Sequence, residues 1–173
     1  MNLIEAIRSV PDFPKKGIVF RDITTLLKNP TALREAVELL YSEAKKHNIE
    51  IVAGIESRGF ILGGILAHEL GVGFVPIRKP GKLPAEKLRQ EYSLEYGTDA
   101  IEIHRDAILP GTRVLLHDDL LATGGTMAAA CKLVEGLGGK IAAISFLIEL
   151  SFLNGRQSLA GYDIHSLIQY QSE

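Results

Sequence analysis

Four short apolar runs separated by stretches of helical period constrain this chain more than any other feature. IEIVAGI, FVPIR, RVLLHDD and KIAAISFLIEL read as strands. Between the first two, Phe60 to Leu70 reads as a helix stopped by Gly71 to Gly73, and between the last two Thr126 to Leu137 reads as another. Strands alternating with helices predict an α/β fold: a doubly wound, mostly parallel sheet flanked by helices. Upstream, Asn29-Pro30 reads as an N-cap with Pro at the first helical position, and Leu33, Val37, Leu40, Tyr41 and Ala44 supply a stripe up to His47. Leu3, Ile4 and Ile7 suggest a short amphipathic helix that PDFPKKG ends; IVF follows as an extended piece, and DIHSLIQY as the last one. One stretch breaks the alternation. Lys79 to about Asp99 is polar and interrupted by Gly and Pro, so residues 80–98 are expected to form a flexible loop.

Length and charge exclude several classes of function. The 173 residues suit one domain, 1–173, and 46% apolar with 23% charged residues argue against disorder. Nineteen Lys and Arg against 21 Asp and Glu leave a net charge of −2, so no global basic field exists to hold a nucleic-acid backbone. The single cysteine, Cys131, excludes an intrachain disulfide and fits a reducing cytoplasm. Ile141 to Ile148, the longest apolar stretch, is far too short to span a bilayer, so no membrane partner is expected. Glu5 and Arg8 sit among the first apolar residues, which does not read as a signal peptide.

RVLLHDDLLATGGT, Arg113 to Thr126, carries the most chemistry. An apolar strand ends on two carboxylates, and a small-residue turn then opens a helix, at the carboxyl edge of the sheet where α/β folds bind ligands. Gly124 and Gly125 free the backbone of Ala122 to Thr126 to aim consecutive amides at a phosphate. The helix N-terminus and the Thr123 and Thr126 hydroxyls add donors, which makes a monophosphate cradle. Asp118 and Asp119 just before it are spaced to accept from two neighbouring hydroxyls, such as those of a ribose. A bare DD or TGG taken separately reads more simply as a capped turn; the combination is the specific signal.

Other segments add charge and a cover. GIESRGF also links a strand to a helix on that edge, and its Arg58 offers several donors at fixed geometry, although alone it would pass for a surface arginine. Arg78, Lys79 and Lys82 concentrate positive charge where the next strand meets the long loop. YSLEYG alternates Tyr92, Leu94 and Tyr96 against Ser93, Glu95 and Gly97, a hairpin-like pattern suited to a lid. The five histidines are too dispersed to form a metal signature. His117 stands beside the acid pair, but strand alternation points it away from Asp118.

Strand, DD, two apolar residues and ATGGT opening a helix resembles the phosphoribosyl pyrophosphate motif of type I phosphoribosyltransferases. PDFPKKGIVFRDIT, GIESRGFILG, IRKPGKLP, YSLEYG and VLLHDDLLATGGT narrow the resemblance, in order and nearly end to end, to the adenine phosphoribosyltransferase family. It implies that adenine and phosphoribosyl pyrophosphate give AMP and pyrophosphate, with Mg2+ required and held mostly by substrate oxygens and water rather than by a protein cage. It also implies a homodimer and an N-terminal hood within residues 1–30. By the same resemblance Glu56, Ser57 and Arg58, with a cis peptide between Glu56 and Ser57, meet the pyrophosphate together with Arg78, Lys79 and Lys82. Glu95 is the general acid/base and Tyr96 part of the lid. Phe20 stacks on adenine, the backbones of Val19 and Arg21 read its polar edge, and Leu150 is an apolar contact on the opposite face. Enzymes for 6-oxopurines carry a lysine near that last strand end, where this chain has Glu149 and Leu150. Rival readings are a guanine, hypoxanthine or xanthine enzyme and a nucleotide-sensing regulator. A dinucleotide binder is weaker, since no G-x-G-x-x-G follows the first strand.

Overall fold

In the computed structural model, which describes residues 2–94 and 97–172, the N-terminal arm is a 3-10 turn at Leu3–Ala6 followed by an antiparallel pair, β1 (Arg8–Pro11) and β2 (Val19–Asp22). One α-helical turn, α1 (Thr24–Leu27), leads to α2 (Pro30–Ala44). The Asn29 side chain caps α2 by accepting from the Thr31 and Ala32 amides at 3.0 and 3.2 Å, so the motif read in the sequence works as a helix start. Then come β3 (Ile51–Ile55), α3 (Gly59–Leu70), β4 (Gly73–Ile77), β5 (Lys87–Ser93) and β6 (Thr98–His104). The chain ends with β7 (Arg113–Leu121), α4 (Gly125–Gly136), β8 (Lys140–Leu150) and β9 (Ile164–Tyr170).

The central sheet has the order β4-β3-β7-β8-β9 with every neighbouring pair parallel. Leu40, Leu62, Leu66, Leu115 and Leu147 bury one face beneath α2 and α3; Leu116, Val134, Ile144 and Phe146 bury the other beneath α4. From β3 the chain first goes outward to β4 and later returns to the other side at β7. The winding direction therefore reverses between β3 and β7, and the loops leaving their carboxyl ends part to form a crevice.

Two expectations need correction. The N-terminal helix is a single 3-10 turn: Leu3 and Ile7 are buried but Ile4 is exposed, and from Arg8 the chain extends to pair with β2, Arg8 opposite Asp22. The 80–98 segment, expected as a loop, contains β5. Leu88, Gln90 and Tyr92 are half-buried while Arg89, Glu91 and Ser93 are exposed, an alternation too polar on its inner side to read as a strand. Its partner β6 was hidden by Glu102 in the middle of an apolar run. That carboxylate is buried and accepts from the Gly81 amide at 3.1 Å, and its backbone exchanges two hydrogen bonds with Arg78, which roots the hairpin on the end of β4.

Candidate active site

The crevice is built from the ends of β3 and β7. Glu56, Ser57 and Arg58 leave β3, and the Glu56–Ser57 peptide is cis, as the resemblance implied. Gly59 begins α3 so close to β7 that a Cβ there would lie 2.9 Å from Asp118 Oδ1 and 3.1 Å from the His117 carbonyl. A side chain at this position would push the two halves of the site apart. Across the gap, the Asp119 amide donates to Asp118 Oδ1 at 2.8 Å. Arg58 Nε lies 2.8 Å from Asp119 Oδ2 as an ion pair, but the angle is too poor for a hydrogen bond, which leaves that buried oxygen an acceptor without a hydrogen-bond partner. Burial pushes both carboxyls above the ordinary aspartate value. For Asp118 the neighbouring Asp119 charge adds to the rise, whereas for Asp119 the Arg58 guanidinium opposes it.

Ala122 to Thr126 wrap a hollow of about 90 Å3, closed by Asp118, Leu120, Leu121, Met127 and Phe146. Gly124 takes a φ of 86°, a left-handed conformation that lets the chain turn straight into α4 and present its first amides to the hollow. Asp118, Leu120 and Thr126 also line a larger cleft of about 440 Å3, completed by Phe20, Ile55, Glu56, Ser57, Arg58, Lys79 and Asp119. The two spaces are contiguous: a small one with amide and hydroxyl donors, and a large one with cations, the acid pair and an aromatic ring. The Arg58 guanidinium lies 5.2 Å from the centre of the Phe20 ring, and both residues also wall a hood-side hollow of about 410 Å3 with Val10, Phe13, Asp22 and Thr24. Phe13 packs edge-on against Phe20 at 5.2 Å, fixing the ring plane.

The fold thus gathers Phe20, Glu56, Ser57, Arg58, Lys79, Asp118, Asp119 and the 122–126 turn. Val19, Arg21, Arg78, Lys82 and Leu150 are not on these walls. Arg21 is buried, donates to Ser9 Oγ at 2.6 Å and lies 4.0 Å from the Tyr170 ring centre, so its side chain ties the hood to β9. Leu150 packs in the α2/α3-side core. Arg78 Nε donates to Glu56 Oε2 at 3.0 Å, and the Lys79 amide donates to the same oxygen at 3.0 Å. The Glu56 carboxylate therefore anchors the end of β4. Lys79 Nζ donates to Tyr92 Oη at 3.0 Å and is ion-paired with Asp99, linking the cleft to the hairpin. Burial alone would lower the Lys79 ammonium, but Asp99 and Tyr92 outweigh it and hold it above the ordinary lysine value. Glu95 and Tyr96 lie outside the described residues.

His117 is fully buried, with Nδ1 3.3 Å from Ser145 Oγ, and lines neither space. Burial pushes it down to about 4, so it is neutral near pH 7. Among the described residues no group of three or more His, Cys, Asp or Glu side chains could hold a metal ion, and no helix is long and apolar enough to cross a membrane.

Four contributors escaped the sequence reading. Leu120 lines both spaces, yet in the sequence it is one more apolar residue. Gly59 is visible only as a helix-start glycine. Gly155 and Ser158, in a 3-10 segment at Gly155–Leu159, pack against the outside of the 122–124 turn. Asn154-Gly155 was a turn signal, but nothing local says what that turn touches.

The switch point of the parallel sheet thus brings together a small turn at a helix N-terminus, an acid pair and a cation-bearing cleft, an arrangement suited to a sugar phosphate. Consistent with this, residues 22–157 match the phosphoribosyl transferase domain family. The chain is 58% identical over 170 residues to the adenine phosphoribosyltransferase of Alkaliphilus metalliredigens, covering 98% of this chain and 100% of that one. The crystal structure of adenine phosphoribosyltransferase from Thermoanaerobacter pseudethanolicus aligns with a TM-score of 0.94 at 57% identity over 96% of each chain. The Saccharomyces cerevisiae enzyme, crystallised with an imino-altritol bisphosphate and adenine, aligns with a TM-score of 0.88 at 43% identity over 95% of this chain and 96% of that one. The chain belongs to the adenine phosphoribosyltransferase family.

Proposed function

We propose that the protein transfers the 5-phosphoribosyl group from phosphoribosyl pyrophosphate to N9 of adenine, giving AMP and pyrophosphate. The observation that carries this reading is the contiguity of the 122–126 hollow with the cleft holding Asp118, Asp119, Arg58 and Phe20. A 5′-phosphate fits the first, and ribose, leaving group and base fit the second. Displacement at the anomeric carbon, with bond breaking ahead of bond making, gives an oxocarbenium-like sugar, so the protein's task is to hold the partners in line and stabilise the departing charge. Ala122 to Thr126 grip the 5′-phosphate, and Asp118 and Asp119 accept from the ribose hydroxyls. The 56–58 loop and Lys79 face the pyrophosphate, with Arg78 and Lys82 adding counter-charge.

Phe20 stacks on adenine beside the Val19 and Arg21 backbones, with Leu150 as the more remote apolar contact. Glu95 serves as general acid/base toward the purine nitrogens and Tyr96 belongs to the lid. The hairpin is the element that excludes water: a Cβ on Gly125, at the start of α4, would lie 3.7 Å from the Ser93 carbonyl oxygen and 3.8 Å from the Tyr92 ring.

Mg2+ is the proposed cofactor, neutralising the departing pyrophosphate when bound. Substrate oxygens and water would hold such an ion, with Asp118 and Asp119, hard oxygen donors on the cleft wall, supporting it indirectly. A homodimer in the cytoplasm completes the proposal. Ile4 and Leu39, both exposed and both lining a groove of about 220 Å3, offer apolar surface for a second copy, and sedimentation tests it.

The deciding experiment incubates the protein with Mg2+, phosphoribosyl pyrophosphate and each of adenine, guanine, hypoxanthine and xanthine. AMP from adenine alone supports the reading; turnover of a 6-oxopurine in its place overturns it.

A further inference from the structure

The turn that grips the phosphate is held from outside by a segment distant in sequence. Ser158 Oγ donates to the Thr123 carbonyl at 2.9 Å. The 123–124 peptide is trans, so the Gly124 N–H points opposite to that carbonyl. Ser158 does not line the 90 Å3 hollow, whereas Thr123 and Gly124 do. It approaches from the outer side: a Cβ on Gly124 would lie 3.0 Å from Ser158 Cβ and 2.5 Å from the Gly155 carbonyl oxygen. Fixing the carbonyl outward turns the Gly124 amide inward.

The segment bearing Ser158 is itself well anchored. Arg156 donates through Nε to Glu149 Oε1 and through its Nη2 nitrogen to Glu149 Oε2, both at 2.8 Å, and through Nη1 to the Ile164 carbonyl at 3.2 Å. Glu149 is buried at the end of β8, so this bidentate pair fixes the segment to the sheet. The hydroxyl is thus presented from a rigid base rather than from a wandering loop.

We propose that Ser158 is a positioning residue for the 5′-phosphate subsite, holding the Thr123 carbonyl so that the Gly124 amide faces the phosphate. This rests on the phosphoribosyl-transfer reading. Losing one such hydrogen bond corresponds to about 3- to 10-fold in affinity.

The test compares wild type, Ser158→Ala and Ser158→Thr in three measurements: KM for each substrate, thermal midpoint, and calorimetric titration with ribose 5-phosphate, which needs no turnover. The expected result for Ser158→Ala is a rise of about 3- to 10-fold in both the KM for phosphoribosyl pyrophosphate and the Kd for ribose 5-phosphate. The KM for adenine should stay as in wild type, the thermal midpoint should fall by no more than the few degrees that one lost hydrogen bond costs, and Ser158→Thr should restore the affinity. Unchanged ribose 5-phosphate affinity in Ser158→Ala overturns the proposal. So does an equal rise in both KM values, which would make Ser158 a purely structural support. Wild type that binds ribose 5-phosphate but makes no AMP would sink the activity reading and leave the Ser158 result to stand by itself.

Discussion

Replacing Gly155 with alanine tests whether the outer segment sets the shape of the phosphate turn. A Cβ at 155 would lie 2.9 Å from Leu121 Cδ1 and closer still to the Ala122 carbonyl oxygen. Leu121 can change rotamer, but the Ala122 carbonyl is backbone and can yield only if the turn moves. The required retreat is roughly half an ångström or more, because close-packed interiors have no slack to absorb it. Overpacking of this kind costs about 1–3 kcal/mol of stability. A 1 Å misplacement remote from the chemistry costs on the order of 10²-fold in rate, so half of that should lower kcat/KM for phosphoribosyl pyrophosphate by about 10-fold. The assay is steady-state kinetics at a temperature where circular dichroism reports the variant fully folded. Gly64→Ala is the control: a Cβ there meets nothing within 4 Å, and in the middle of α3 it should stabilise by about 0.5–1 kcal/mol without touching activity. A folded Gly155→Ala with wild-type kcat/KM would refute the steric reasoning.

Glu95→Gln should slow single-turnover AMP formation measured by rapid quench; full-rate chemistry would remove Glu95 from proton transfer. Arg58→Ala should raise the KM for phosphoribosyl pyrophosphate by about 10- to 100-fold, and Arg58→Lys should recover little of it, because a point charge cannot reproduce the fork that faces both Asp119 and Phe20. His117 titrates near 6.5 when unfolded and at about 4 in the fold, where burial disfavours its charged form. Its contribution to stability is full above pH 6.5 and is lost as pH falls toward 4, by about 3 kcal/mol in total, since the unfolded chain takes up the proton first. Urea unfolding of wild type and His117→Leu between pH 7 and 4 should show the variant with the shallower acid-side slope, and parallel slopes would contradict the assignment.

The elements read best from sequence were those whose signals are local and redundant. Asn29-Pro30 carried a cap and a starting proline, β3, β4, β7 and β8 were continuous apolar runs, and α3 and α4 lay between them at helical length. β5 and β6 failed for opposite reasons: β5 is half-exposed, so its inner residues include Gln90, and β6 has a buried Glu102 that satisfies itself on the Gly81 amide. Neither exception can be seen without the partner that permits it. The site divides the same way. The Asp118–Thr126 run is contiguous in sequence and was legible there, whereas Gly59, Leu120, Gly155 and Ser158 contribute through contacts with distant segments. Arg78 is charged and well placed along the chain, and in the fold it stands behind the cleft wall with its Nε on Glu56 Oε2.

That last point bears on how a chain of net charge −2 handles polyanions. Three cations in or beside the cleft already have a carboxylate partner: Arg58 with Asp119, Lys79 with Asp99, Arg78 with Glu56. Lys79–Asp99 and Arg78–Glu56 are partly exposed pairs worth only about 0–1 kcal/mol each, so exchanging their carboxylate for a phosphate oxygen costs little, whereas the buried Asp119 needs a new partner when Arg58 leaves it. The exchange also has a direction. A phosphate that takes Lys79 releases Asp99, and with it one of the ties between the end of β4 and the hairpin; one that takes Arg58 frees Asp119 to accept from a ribose hydroxyl beside it. On the proposed binding mode, ligand charge would act by rearranging pairs that exist before it arrives, so a net charge of −2 is no bar to a polyanion in the cleft.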